Sequence, residues 1–395
     1  MEGIKLSTPP RYDILLLHMS DSPSIKLYKK LQEPKSVKSK YRLKTRKDLN
    51  IAYTPGVADV SMAVFKDPSK AHTYTYKANS VAVVSDGSAV LGLGNIGPEA
   101  ALPVMEGKAL IFREFAGIEA VPIVLNTHDP DEIIAAVRAI APTFGGINLE
   151  DIKAPECFYI EEELKKVLDI PVIHDDQWGT AVTTLAALTN ALKVVGKKIT
   201  NIKIVILGAG AAGTAVSKIF TKKGAKNIIL VDRKGIIYKK RLGNSPEKEA
   251  LASFTNPKKI KGTIEDAFVG ADIFISFATR GAVVTPAMIQ SMNKRSILFT
   301  LTNPVPEIMP KEAYRAGAYL VATGRSGDPN QINNLLAFPG LFRGALDNKV
   351  KKVTIEMLIR AAENLAGVIP NPTRELFIPS PLDKRVVKAV AKAIK

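Results

Sequence analysis

The chain carries a single cysteine, Cys157, in 395 residues. That excludes an intrachain disulfide and fits a reducing cytoplasm. No apolar run approaches the ~20 residues of a membrane span. The early run "ILLL", Ile14 to Leu17, is too short for a signal-peptide core, and Asp13 directly precedes it. Internal repeats and long flexible linkers are absent, as are zinc-finger spacings, an RNA-recognition signature and a basic heptad array. What is present is a globular composition, 46% hydrophobic, in a chain long enough for two domains.

The charge is lopsided, with 55 Lys and Arg against 38 Asp and Glu, a formal net of +17. Its densest stretch is "KLYKKLQEPKSVKSKYRLKTRK", residues 26–47. Few apolar positions interrupt it, so it reads as a solvated basic extension; residues 1–40 receive no functional role. Charge of this sign attracts nucleic acid in general. Without a recognition motif beside it, nucleic acid is not expected as a partner.

From about Val81 short apolar runs alternate with helix-like segments. "VPIVL" precedes "DEIIAAVRAIAPTF", with Asp129 or Asp131 as the helix cap. "GGIN", "EEELKKVL" and "IPVIHDD" follow, then a helix expected from Gly179 to about Val195. A second series runs through "NIKIVIL", "NIILVD", "ADIFISF", "RSILFTLTN" and "AYLVATG". This rhythm predicts an α/β chain of two domains with parallel sheets covered on both faces. The C-terminal one is expected to be a doubly wound sheet of Rossmann type. "TIEMLIRAAENLAG" and "KRVVKAVAKAI" read as amphipathic helices packing back onto it.

Gly208, Gly210 and Gly213 form G-x-G-x-x-G between the strand "IKIVIL" and a helix. That placement makes Gly208, Ala209, Gly210, Ala211, Ala212 and Gly213 the expected pyrophosphate turn. Asp232 ends the next strand, where an acid meets the adenosine ribose of NAD. Arg233 and Lys234 follow at once and are able to hold the extra phosphate of NADP. Asp232 tips the reading toward NAD while leaving NADP open.

Two acidic pairs, Glu150–Asp151 and Asp175–Asp176, each end an apolar segment. Open α/β sheets place their ligands at the carboxyl ends of strands. Carboxylates converging there without a Cys/His pattern point to a hard cation, Mg²⁺ or Mn²⁺. His174 reads as a packed core residue.

With these motifs in view, residues 53–347 resemble the malic enzymes, in particular their short microbial form. The resemblance rests on "YTPGVA" (53–58), "VVSDGSAVLGLGNIGPEAALPVMEGKALIF" (83–112), "INLEDIKAPECF", "HDDQWGTA", "LGAGAAG", "LTNPVPEI" (301–308) and "PNQINNLLAFPG" (329–340). It implies oxidation of L-malate by NAD(P), loss of CO₂ and release of pyruvate, with a divalent cation. It implies a smaller α/β malic-enzyme domain over 41–177 and a dinucleotide domain over 178–395. A cytoplasmic homodimer without membrane attachment is expected, lacking the C-terminal appendage of the long bacterial forms.

Carried over by motif, Tyr53 is the general acid, Lys108 the general base and substrate ligand, and Asp175 a neighbouring catalytic carboxylate. Glu150, Asp151 and Asp176 are the metal ligands. Asn303 and Asn334 line the nicotinamide and malate site. A lysine must be neutral to take a proton, against an unperturbed pKa of about 10.4, so a nearby cation is integral to that role. Three positions depart from the family pattern: Trp178 stands where His is common, Asn95 where Asp is usual, and "SGDPNQ" replaces "SDYPNQ". Malolactic chemistry, oxaloacetate decarboxylation and, remotely, nucleic-acid association on an inactive fold are the alternatives.

Overall fold

The computed structural model describes residues 25–27, 30, 39–90, 92–278, 282–303 and 305–395. Most of the basic extension expected over 1–40 therefore lies outside the described residues. The chain divides into two compact units, residues 1–60 and 61–395.

In the first unit, helix α1 spans Arg46–Ala52. Thr45 caps it by accepting from Asp48 N, while the Asp48 carboxylate accepts from Thr45 N, a reciprocal capping box. No α1 residue is buried. Tyr53 ends the helix by donating its N–H to Leu49 O at 2.9 Å, and the residue is 71% exposed.

The second unit contains two sheets. The first is parallel, in the order β2-β1-β3-β4: β1 Ser80–Ser85, β2 Glu119–Val124, β3 Gly146–Leu149 and β4 Val172–His174. Side chains alternate across a strand, so one strand supplies two cores. Val81 and Val83 pack with Met105 and Phe112 of helix α2, Pro98–Ala116. Ala82 and Val84 turn the other way, toward Ile133 and Val137 of α3, Pro130–Ile140, and Ile160 and Leu164 of α4, Glu156–Val167. Asp129 caps α3, accepting from Asp131 N at 2.8 Å.

The second sheet has the order β10-β9-β8-β5-β6-β7. Its strands are β5 Lys203–Leu207, β6 Asn227–Asp232, β7 Gly235–Ile236, β8 Ile273–Ser276, β9 Ile297–Thr300 and β10 Leu320–Thr323. The order reverses at β5, the switch point of a Rossmann sheet. The expected parallel pairing holds for β5, β6, β8, β9 and β10, and the short edge strand β7 adds on antiparallel to β6. Only two residues join β6 to β7, and a parallel return needs a crossover of a dozen or more.

Helix α5, Asp175–Val195, follows β4 and shares one apolar core with residues of both sheets. Most of its residues are buried, because it packs on α6, Ala211–Lys222, and on a later helix, Ile355–Ala366. It starts four residues before the expected Gly179. Asp175 and Asp176 therefore occupy its first turn, where the helix dipole favours anions. Pro246–Phe254 forms α7, Phe338–Asp347 α8, Ile355–Ala366 α9 and Arg385–Ala391 α10. Among the described residues no helix is long and apolar enough to cross a membrane.

Candidate active site

The two acidic pairs meet at the carboxyl ends of β3 and β4. Glu150 follows β3 directly, and its N–H donates to Val84 O of β1 at 2.9 Å. Asp151 has φ 53°, a left-handed conformation that Asp tolerates better than most residues. That turn aims its N–H at Asp176 Oδ2, 2.8 Å away. Glu150, Asp151 and Asp176 each bring a carboxylate oxygen within 4.8 Å of the others. Hard oxygen donors at this separation suit Mg²⁺ or Mn²⁺.

Lys108 enters this group from α2. Its Nζ donates to Glu150 Oε1 and, at 2.5 Å, to Asp175 Oδ2. The ammonium also lies 4.4 Å from the centroid of the Phe338 ring. Asn148 Nδ2 donates to Glu150 Oε2 at 2.9 Å and fixes that carboxylate from the other side. Asp175, Glu150 and Asp176 thus act on one ammonium. An excess of buried negative charge is costly unless another cation balances it, so the donor set fits a divalent ion.

Burial raises the carboxyl pKa of Asp175 well above its ordinary value and raises those of Glu150 and Asp176. Burial also opposes the Lys108 ammonium, but Asp175 and Glu150 outweigh it and raise its pKa above the usual lysine range. Lys108 is the counter-ion here. Positive charge placed among the same carboxylates would compete for them and ease loss of its proton.

Asn334 sits at the same place. A methyl group on Gly179 would lie 1.8 Å from Asp175 Oδ1 and 3.2 Å from Asn334 Cβ. Only glycine lets these side chains close over the first turns of α5. Asn303 follows β9, and its Nδ2 lies against Gly324 at the end of β10. Tyr53 belongs to the first unit.

Two of the departures have local explanations. Trp178 Nε1 donates to Glu161 Oε2 at 3.0 Å. Glu161, buried on α4, also accepts from His174 N, Gln177 Nε2 and Lys165 Nζ, pinning the start of α5. Asn95 Nδ2 lies 3.5 Å from His128 Nε2, while His128 Nδ1 contacts Asp86 Oδ2 at 3.0 Å. Asp86 in turn accepts from Ser88 Oγ, and Ser88 Oγ accepts from Lys153 N, so this loop braces the segment after Asp151. Asn148, Glu161 and Phe338 are site residues that sequence reasoning missed. Phe338 and Asn148 lie inside motifs already recognised, "AFPG" and "INLED", whereas nothing local marks Glu161.

The glycine turn has the expected form. Gly208 has φ 104°, and a Cβ on Gly213 would lie 1.9 Å from Gly208 O. A Cβ on Gly210 would meet nothing within 4 Å, leaving open space where α6 begins. Ala209 precedes that opening, and Ala211 and Ala212 start α6. Asp232 ends β6, with Arg233 and Lys234 exposed just beyond. The Asp232 carboxylate is engaged by Arg241 and Lys248.

Comparison with known proteins finds matches along both parts of the chain. The family model "Malic enzyme, N-terminal domain" matches residues 32–165, and "Malic enzyme, NAD binding domain" matches residues 178–394. The bifunctional malic/malolactic enzyme of Bacillus subtilis is 52% identical over 94% of this chain and 91% of its own. An NADP-dependent malic enzyme of Rhizobium meliloti is 44% identical over 89% of this chain, which spans 48% of that longer relative. The crystal structure of an NAD-dependent malic enzyme from Thermotoga maritima superposes with a TM-score of 0.91. It is 46% identical over 95% of this chain and 99% of that one.

Proposed function

Because the chain belongs to the malic enzyme family, we propose that it converts L-malate to pyruvate and CO₂ while reducing NAD(P)⁺. Mg²⁺ or Mn²⁺ is the metal in this reading. The observation that carries it is the Lys108 ammonium shared by Glu150 and Asp175 beside the Glu150–Asp151–Asp176 oxygens.

Glu150, Asp151 and Asp176 would hold the cation. When bound, the cation would polarise the hydroxyl and carboxylate of a 2-hydroxy acid and lower the hydroxyl pKa. Lys108, once neutral, takes the hydroxyl proton at Nζ. Asp175 orients Lys108, and Phe338 covers the ammonium and excludes water on that side. The Gly208–Gly213 turn would hold the dinucleotide, which would supply a hydride acceptor for C2. Asn303 and Asn334 orient the nicotinamide and the malate carboxylate. Tyr53 is assigned the proton for C3 from the "YTPG" motif alone. Decarboxylation of added oxaloacetate would use the same residues.

The proposed division is a malic-enzyme domain over 41–177 and a dinucleotide domain over 178–395. A homodimer is favoured by exposed apolar side chains in the second unit, among them Met62, Phe65 and Tyr74. The single cysteine, buried, suits a cytoplasmic setting.

Purified protein with L-malate, Mn²⁺ and each dinucleotide tests the reading. Lasting reduced-nicotinamide absorbance with matching pyruvate supports it. Lactate without net absorbance change would replace it by malolactic turnover, the other activity named in the Bacillus relative.

A further inference from the structure

The carboxyl end of β6 is built differently from a simple ribose-binding acid. Asp232 Oδ1 accepts from Lys234 N at 2.8 Å and from Arg241 Nη1 at 2.9 Å. Its Oδ2 accepts from Arg241 Nη2 at 2.6 Å and from Lys248 Nζ at 2.7 Å. A carboxylate offers about four acceptor sites, and four donors fill them. A ribose hydroxyl must displace one of these to reach Asp232.

The donors differ in freedom. Lys234 contributes backbone. The Arg241 side chain is 6% exposed and is also tied to Gly235 O and Asn244 Oδ1. Lys248 enters from the first turn of α7 with its side chain 31% exposed, so it is the donor able to turn outward. Charge points the same way: Arg241 and Lys248 together outweigh Asp232, and the exposed Arg233 and Lys234 add to the excess. A lone acid at this position repels a phosphate on the ribose, whereas a net cationic cluster attracts it.

We propose that this cluster selects NADP over NAD, with Lys248 as the side chain that binds the 2′-phosphate of the adenosine ribose. Lys248 swings from Asp232 onto the phosphate, while Arg241 stays on Asp232 and keeps its charge neutralised. The proposal rests on the dinucleotide reading of the Gly208–Gly213 turn and reverses the preference that Asp232 suggests from sequence.

The test is equilibrium binding of adenosine 2′,5′-bisphosphate and adenosine 5′-monophosphate, which differ only in the 2′-phosphate, to full-length protein. The wild type is expected to bind the bisphosphate at least ~10-fold more tightly, the effect of one charge-assisted phosphate contact. Lys248→Met should cut that ratio by about tenfold, and Lys248→Arg should largely retain it. Equal binding of both nucleotides by the wild type, or an unaltered ratio in a folded Lys248→Met protein, overturns the proposal. Failure of both nucleotides to bind the wild type overturns the dinucleotide reading itself. The ratio of kcat/KM for NADP⁺ to that for NAD⁺ should follow the binding ratio through the same variants.

Discussion

Lys108 Nζ lies 2.5 Å from Asp175 Oδ2, although the two residues come from helices on different elements of the chain. The lysine cannot leave its proton among carboxylates unless another positive charge replaces it. A base that becomes competent only when its cation partner is loaded follows directly from this pairing.

Replacing Lys108 with Ala should therefore lower kcat by ~10²–10⁴, the usual worth of a positioned general base. Dinucleotide binding, measured by fluorescence titration, should survive, because the Gly208–Gly213 turn belongs to the other sheet. Unchanged malate turnover would remove Lys108 from the role.

Glu161 should behave as a structural anchor. Its carboxylate accepts from His174 N, Gln177 Nε2, Trp178 Nε1 and Lys165 Nζ, and its side chain is only 4% exposed. Glu161→Ala leaves several buried donors unmatched and should cost about 2–4 kcal/mol in urea unfolding. Trp178→Phe, which loses only the indole donor, should cost about 1 kcal/mol. A Glu161→Ala protein as stable as the wild type would show that water replaces these bonds without penalty.

Glu307 gives the chain a pH-dependent stability term. It is fully buried beside Thr302, and burial raises its pKa above the ordinary 4.5. A protonated carboxyl can donate to Thr302 Oγ1, freeing the hydroxyl proton for Ala278 O, 2.7 Å away. Because its folded pKa is raised, the native state keeps a proton that the unfolded chain releases just above pH 4.5. The resulting contribution is full below that pH and declines as pH rises through the folded value. Relative to the wild type, Glu307→Gln should gain stability as pH rises over this window, by denaturant unfolding at a series of pH values. A stability difference independent of pH would mean that Glu307 is ionised in the native protein.

Much of this was legible before the coordinates, for physical reasons that differ by residue. The G-x-G-x-x-G turn declares itself because three glycines are demanded by a backbone approach and a helix contact within six residues. The acidic pairs were visible because adjacent carboxylates at strand ends are expensive without a cation. Glu161 was not visible, since it acts through groups such as His174 N that the fold brings to it, whereas Asn148 acts on Glu150 only two residues away. The start of α5 was misplaced because Asp175 and Asp176 look like a strand end, whereas the helix dipole makes them its first turn. Asp232 shows the opposite failure: its position matches the ribose-binding pattern, but the donors that occupy it sit on a later loop and helix.

The central claim is that side chains just after β3, at the start of α5 and on α2 serve one cation, and Mn²⁺ titration followed by electron paramagnetic resonance tests it most directly. The wild type should bind one Mn²⁺ per chain, and Glu150→Gln, Asp151→Asn and Asp176→Asn should each weaken it by at least ~10-fold, about 1.4 kcal/mol. A titration left unaltered by all three substitutions would contradict the account.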